Sequence, residues 1–229
     1  MNDNEELTAV FAEVGKKYGF ETVKAEFMSC RDFKVRWQMS YRWADFKVSD
    51  YMRNAPREAV ESLANTIFGK MVSGEDSVYE KIIIDYVSSP KFVETYQPLY
   101  LRRNRDLTHS PLGKNRDLGE AYERLIGLGL VERDPAVCLT WTKEPIPTGR
   151  AARCSVLMKV VAVSSLLDDP NIPEECLDYA LYTELCRISI GFDPNGDRNR
   201  LLMPKLTEKY GRERSKEASD GLKAVQMYV

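Results

Sequence analysis

The chain has 229 residues, 43% hydrophobic and 30% charged, which is enough for one sizeable core and allows one or two domains. Its 33 basic and 35 acidic residues leave a formal net charge of −2, which excludes a general attraction to nucleic acid or to an anionic membrane. A single histidine, His109, excludes a zinc site built on two or three imidazoles of one chain.

No apolar run approaches the roughly 20 residues of a membrane span. The start, MNDNEELTAVF, lacks the basic and apolar regions of a signal peptide. The five cysteines, Cys30, Cys138, Cys154, Cys176 and Cys186, are widely spaced and form no CxxC pair. They read as reduced thiols of a cytoplasmic protein.

In chain order, Leu7, Val10, Phe11, Val14 and Tyr18 predict a helix over 3–18 that Gly19 ends. The period then changes. Phe33, Val35, Trp37 and Met39 alternate with polar residues, as do Ala44, Phe46 and Val48, which predicts a hairpin turning near Ser40–Tyr41. Pro56 suits a first helical position, and Val60, Leu63, Ala64, Ile67, Phe68 and Met71 form the stripe behind it, to Ser73–Gly74. Shorter helices are expected over 77–88 and 90–102. The cluster YLRRNR places Arg102, Arg103 and Arg105 together. It is a candidate basic patch, though the nearby acids favour a solvated face. Residues 106–116 read as a loop with His109 exposed on it. Leu118–Leu130 reads as a helix, and 138–142, 152–158 and 160–164 as strands, with a turn between Pro145 and Gly149. Ile172–Gly191 and 198–210 are expected helices, and 211–220 a polar link to a short tail. No repeat or long linker divides the chain. The expected organisation is one domain over 1–229. It has an N-terminal elaboration (about 1–117), a motif-bearing half (about 118–210) and a tail over 211–229.

The stretch IPEECLDYALYTELCRISIG carries the strongest functional signal. In zincin peptidases a helix presents H-E-x-x-H: two histidines at i and i+4 bind zinc, and the glutamate activates the metal-bound water. Here Trp141, the strand Val161–Leu167, the entry Pro173–Leu181, the break Gly191 and the later Leu206 resemble the catalytic half of SprT-like and YgjP-like zinc metallopeptidases. FKVRWQMSYRW and APREAVESLANTIFGKM resemble the N-terminal strands and helix of that family. The resemblance covers roughly 33–72 and 118–210. It implies an α+β, zincin-like fold, with a small twisted mixed sheet packed on helices that include the former active-site helix.

The chemistry of the family does not carry over. Thr183-Glu184-Leu185-Cys186-Arg187 stands in place of HExxH. The ligand positions fall on Thr183, Arg187 and Asn199, and only the general-base position survives, as Glu184. Threonine is a poor zinc ligand, and arginine is a permanent cation that cannot coordinate. Cys176 and Cys186 lie about 15 Å apart along a helix and cannot share one metal there. They read as small core residues. No metal and no cofactor is therefore expected. Arg187 is expected to pair with Glu184 and put a fixed positive charge where the metal would sit.

The function this implies is a pseudo-metallopeptidase, a non-catalytic module that binds a peptide or protein. Its edge strand is expected around Arg150–Met158, and that edge equally suits a homodimer. One alternative is a hydrolase with a non-standard site, against which stands the absence of any other catalytic fingerprint. GFDPNGDRN matches a calcium loop too loosely to count. The other alternative is a nucleic-acid-associated SprT-like protein using YLRRNR and KYGRERSK, against which stands the even charge.

Overall fold

The structure, a computed structural model, describes residues 3–74, 79–147 and 149–226. It comprises two units, residues 1–92 and 93–229, each with its own sheet.

In the N-terminal unit, Asp3 starts α1 (Asn4–Lys17) by accepting a hydrogen bond from the Glu6 N–H at 2.7 Å. Glu5 and Glu6 in the first turn and Lys16 and Lys17 in the last suit the helix dipole. Three strands follow: β1 (Thr22–Met28), β2 (Val35–Ser40) and β3 (Trp43–Ser49), in the spatial order β1-β3-β2. β2 and β3 form the expected antiparallel hairpin, with Ser40 opposite Trp43. β1 is an addition to the expected elements. Val23, Ala25 and Phe27 alternate with Lys24 and Glu26, and the strand runs parallel to β3 with Ala25 opposite Phe46.

α2 (Arg57–Ser73) begins one residue after Pro56, which is extended and caps it, and ends at Gly74 with φ of 69°. The core is aromatic: Phe46 lies 4.9 Å from Phe11 and 5.0 Å from Phe68, and Phe20 lies 5.1 Å from Phe68, between ring centroids. Gly15 sits against this cluster because a Cβ there would come within 2.8 Å of Val23 Cγ2 and 2.9 Å of Phe68 Cζ. α3 (Lys81–Val87) is shorter than the expected helix over 77–88. Glu80 is extended before it, and 77 and 78 lie outside the described residues. α4 (Pro90–Arg103) follows as expected.

In the C-terminal unit, α5 (Leu118–Gly127) stops short of Leu130. Gly129 turns left-handed with φ of 67°, and Leu130 N–H bonds back to Leu125 O at 3.0 Å. β4 (Cys138–Trp141), β5 (Ala152–Ser155) and β6 (Val160–Val163) form a sheet in the order β4-β6-β5, with β4 parallel and β5 antiparallel to β6. All four residues of β6 are buried, as befits a central strand covered on both faces. β5 ends at Ser155, not 158, because the chain turns over 156–159 to start β6, with Lys159 left-handed at φ of 49°.

α6 (Glu174–Ile190) ends at Gly191, and α7 (Asp197–Lys209) follows. The expected polar link over 211–220 is instead part of a helix, α8 (Arg212–Gln226). Its apolar stripe is thin, Ala218 and Leu222, and it docks through small residues. Ala218 is buried, and a Cβ on Gly221 would lie 2.7 Å from Cys176 Sγ on α6. Among the described residues, eight helices and two three-stranded mixed sheets make an α+β protein. No helix among them is long and apolar enough to cross a membrane.

Candidate functional site

α6 is apolar nearly all round and lies in the core of its unit. Leu177, Leu181, Tyr182, Leu185 and Ile188 pack with Leu118, Leu125, Trp141, Val161 and Val163. A bidentate ion pair ties it to α5: Arg124 Nη2 and Nε donate to Asp178 at 2.7 and 3.1 Å. The Asp178 hydrogen bond holds the Arg124 pKa above its usual value, against the opposing effect of burial.

On this frame the stretch Thr183–Arg187 is well defined. The Glu184 side chain is only 6% exposed, and Arg187 Nη1 donates to its Oε1 at 2.5 Å. The Arg187 side chain is 44% exposed, so the guanidinium reaches the carboxylate from the solvent side. The expected pair therefore forms, with one member buried and the other half in water. Glu184 Oε2 is buried without a hydrogen-bond partner. Facing the same carboxylate is the thiol of Cys154 on β5. Burial pushes that thiol far above the ordinary cysteine range, the negative charge of Glu184 adds to the rise, and Arg187 opposes it. The sequence gives no direct sign of this neighbour. The only available signal is strand parity, which turns Cys154 inward and Arg153 outward, where Arg153 pairs with Asp106.

The residues at the family's ligand positions do not fit zinc. Thr183 Oγ1 donates to Tyr179 O at 2.8 Å, back along its own helix. Arg187 is a cation bound to Glu184. Asn199 lies in the first turn of α7, where its backbone N–H bonds to Asp193 Oδ2 at 3.1 Å. Asp193 thus caps a helix in the loop compared with a calcium site. Among the described residues, no three His, Cys, Asp or Glu side chains stand together in a way that could hold a metal ion. Cys176 and Cys186 are both buried, as small core residues should be.

A cavity of about 540 Å³ lies beside another part of α6, lined by Leu185, Cys186, Ile188 and Ser189 together with Lys159 and Lys209. Thr183, Glu184 and Arg187 are not in its wall. Of the candidate basic patch, Arg102 and Arg103 occupy the last turn of α4, and Arg105 follows Asn104, with Arg102 and Arg105 exposed. In KYGRERSK, Arg212 pairs with Glu208, and Arg214 lies over the Tyr210 ring at 4.7 Å. His109 is exposed on its loop, as expected, with its backbone N–H bonded to Thr140 Oγ1 at 3.0 Å.

No protein-family model matches the chain, and no curated protein and no solved structure matches it.

Proposed function

We propose that the C-terminal unit is a zincin-like module without catalytic activity that holds an extended segment of a protein partner along β5. The observation that carries this reading is the Cys154–Glu184–Arg187 cluster. At the position where the resembling family keeps a metal and its general base, the carboxylate is occupied by an arginine and packed against a strand. A carboxylate held in an ion pair and buried against a thiol is poorly placed to take a proton from an attacking water.

Among the described residues no strand pairs with the other edge of β5, beside that cluster, and this supports the binding role. Ser164 N–H bonds to Ala151 O at 2.9 Å, which fixes the alternation of the antiparallel β5–β6 ladder. Ala152 and Cys154 then turn their backbone N–H and C=O away from β6, toward the sheet edge. An added strand needs such groups.

The test is selection of binders from a random-peptide library on the immobilised full chain, followed by affinity measurement. Cys154→Pro removes the outward N–H and leaves the bonds to β6 untouched, whereas Cys154→Ala keeps the N–H. Binding should weaken roughly tenfold or more in the proline variant and hold in the alanine variant. Equal affinity in both variants, or cleavage of the selected peptides seen by mass spectrometry, overturns the reading. Circular dichroism checks that both variants fold.

A further inference from the structure

The two edges of the N-terminal sheet are treated differently. Along β1, α1 supplies side-chain partners: Thr8 Oγ1 accepts from Ala25 N–H at 3.0 Å and donates to Ala25 O at 2.7 Å, and Asn4 Oδ1 accepts from Phe27 N–H at 2.9 Å. At the other edge, no strand among the described residues covers β2, whose residues are exposed from Arg36 to Ser40.

The register says which groups that edge presents. Ser49 N–H bonds to Lys34 O at 3.0 Å, so Lys34 and Ser49 are a hydrogen-bonded pair of the β2–β3 ladder. By alternation, Val35, Trp37 and Met39 direct their N–H and C=O groups out of the sheet. Their side chains share the face of Val48, Phe46 and Ala44, the core side. Trp37 and Met39 are nevertheless 39% and 50% exposed. β2 contains no proline, and its one charged residue, Arg36, points to the opposite face, so the usual guards against edge pairing are missing.

We propose that β2 pairs antiparallel with β2 of a second copy of this chain, about a two-fold axis through Trp37, joining the two sheets into one. In this register Trp37 faces its own copy and Val35 faces Met39, and all three use their outward backbone groups. The charges select the same register. Within one copy Arg36 stands directly opposite Lys47 and has no acidic partner among the described residues, while Asp45 keeps a buried Oδ1 without a hydrogen-bond partner. Across the two-fold, Arg36 faces the second copy's Gln38, and the second copy's Asp45 follows one strand further, about 10 Å away at strand spacing. A slip of two residues one way sets Arg36 against Arg36, a like-charge pair, and a slip the other way sets Arg36 against Ser40 with Trp43 behind it, away from Asp45.

Sedimentation equilibrium on the full chain tests this. The wild type should be a reversible dimer at micromolar concentration. Trp37→Lys places two like charges on the axis and should raise the dissociation constant roughly tenfold or more, with an unchanged circular dichroism spectrum. The register has its own test. Arg36 and the second copy's Gln38 form a non-hydrogen-bonded pair with Cα atoms about 4.5 Å apart, within disulfide reach. A mixture of Arg36→Cys and Gln38→Cys chains should cross-link on mild oxidation, and neither should do so alone. The proposal fails if the wild type is monomeric throughout, if Trp37→Lys dimerises as the wild type does, or if either cysteine variant cross-links alone as readily as the mixture.

Discussion

Arg187→Ala and Glu184→Gln both break the same ion pair, yet their costs should differ. Removing the partner of a fully buried charge costs about 3–5 kcal/mol, because the remaining charge is left desolvated. In Arg187→Ala the remaining charge is Glu184, 6% exposed, with Oε2 already lacking a partner. The arginine leaves from a half-exposed position, so water enters the space and recovers part of the loss. A cost of about 2 kcal/mol follows. In Glu184→Gln the remaining charge is Arg187, 44% exposed and free to turn to solvent. The amide keeps the shape of the acid, so the cost should stay below about 1 kcal/mol. The double variant holds no buried unpaired charge and should be about 1 kcal/mol more stable than Arg187→Ala alone. Pulse labelling of the buried Cys176 and Cys186 thiols against urea follows this unit without interference from the other. Equal costs for the two single variants, or no rescue in the double variant, would refute the reasoning.

Five further outcomes follow from the packing, the thiol chemistry and the donor set. Gly15→Ala forces a Cβ to within 2.8 Å of Val23 and 2.9 Å of Phe68, and should cost about 1–3 kcal/mol in thermal or urea denaturation; an unchanged midpoint contradicts the close approach. Arg124→Lys keeps the charge but loses the two-pronged bond to Asp178, and should cost about 1–2 kcal/mol by the same denaturation measurement. Burial raises the thiol pKa values of Cys138, Cys154, Cys176 and Cys186, so iodoacetamide at pH 8 should modify them at least about tenfold more slowly than in denaturant, by mass spectrometry. The stability these raised values contribute is fully present below the ordinary thiol pKa and is lost as pH rises through the folded-state values, so urea midpoints should fall in that alkaline range. Finally, equimolar zinc should leave the melting temperature unchanged. A rise would show a site that binds the folded state, which the donors at Thr183, Arg187 and Asn199 do not offer.

Much of the fold is legible in the sequence because packing there follows periodicity. Leu7, Val10, Phe11 and Val14 in α1, and Val60, Leu63, Ile67 and Phe68 in α2, are all buried on the predicted faces. β1 is harder to find because the charges of Lys24 and Glu26 dominate a short window, and its parallel pairing with β3 is a long-range fact. α8 is harder still. A helix that docks through Ala218 and Gly221 needs small residues, not an apolar stripe, so its composition looks like a linker. At the candidate site, the Glu184–Arg187 pair follows from spacing within one helix. Cys154 does not, because its approach to Glu184 depends on how β5 lies against α6, and nothing local encodes that.

The asymmetry of the Glu184–Arg187 pair bears on what the C-terminal unit does. A buried carboxylate is an expensive core residue, and apolar replacements of buried ion pairs are often neutral or stabilising. Stability alone therefore gives no reason for Glu184 at this place. Its partner, however, is half in solvent, and its other neighbour, Cys154, is a residue of the edge strand whose backbone faces outward. On the proposed reading a segment lying along β5 also covers Arg187 and removes water from it, and the attraction between Arg187 and Glu184 strengthens as the local dielectric falls. The pair is then less strong while the edge is bare than once the edge is covered. It then contributes to binding through a charge the partner need not touch. The coupling between Arg187 and Glu184 should therefore be larger with peptide bound than without, and a double-mutant cycle run in both states measures that difference. Identical coupling in the two states would leave Glu184 as a structural residue and separate the pair from the edge.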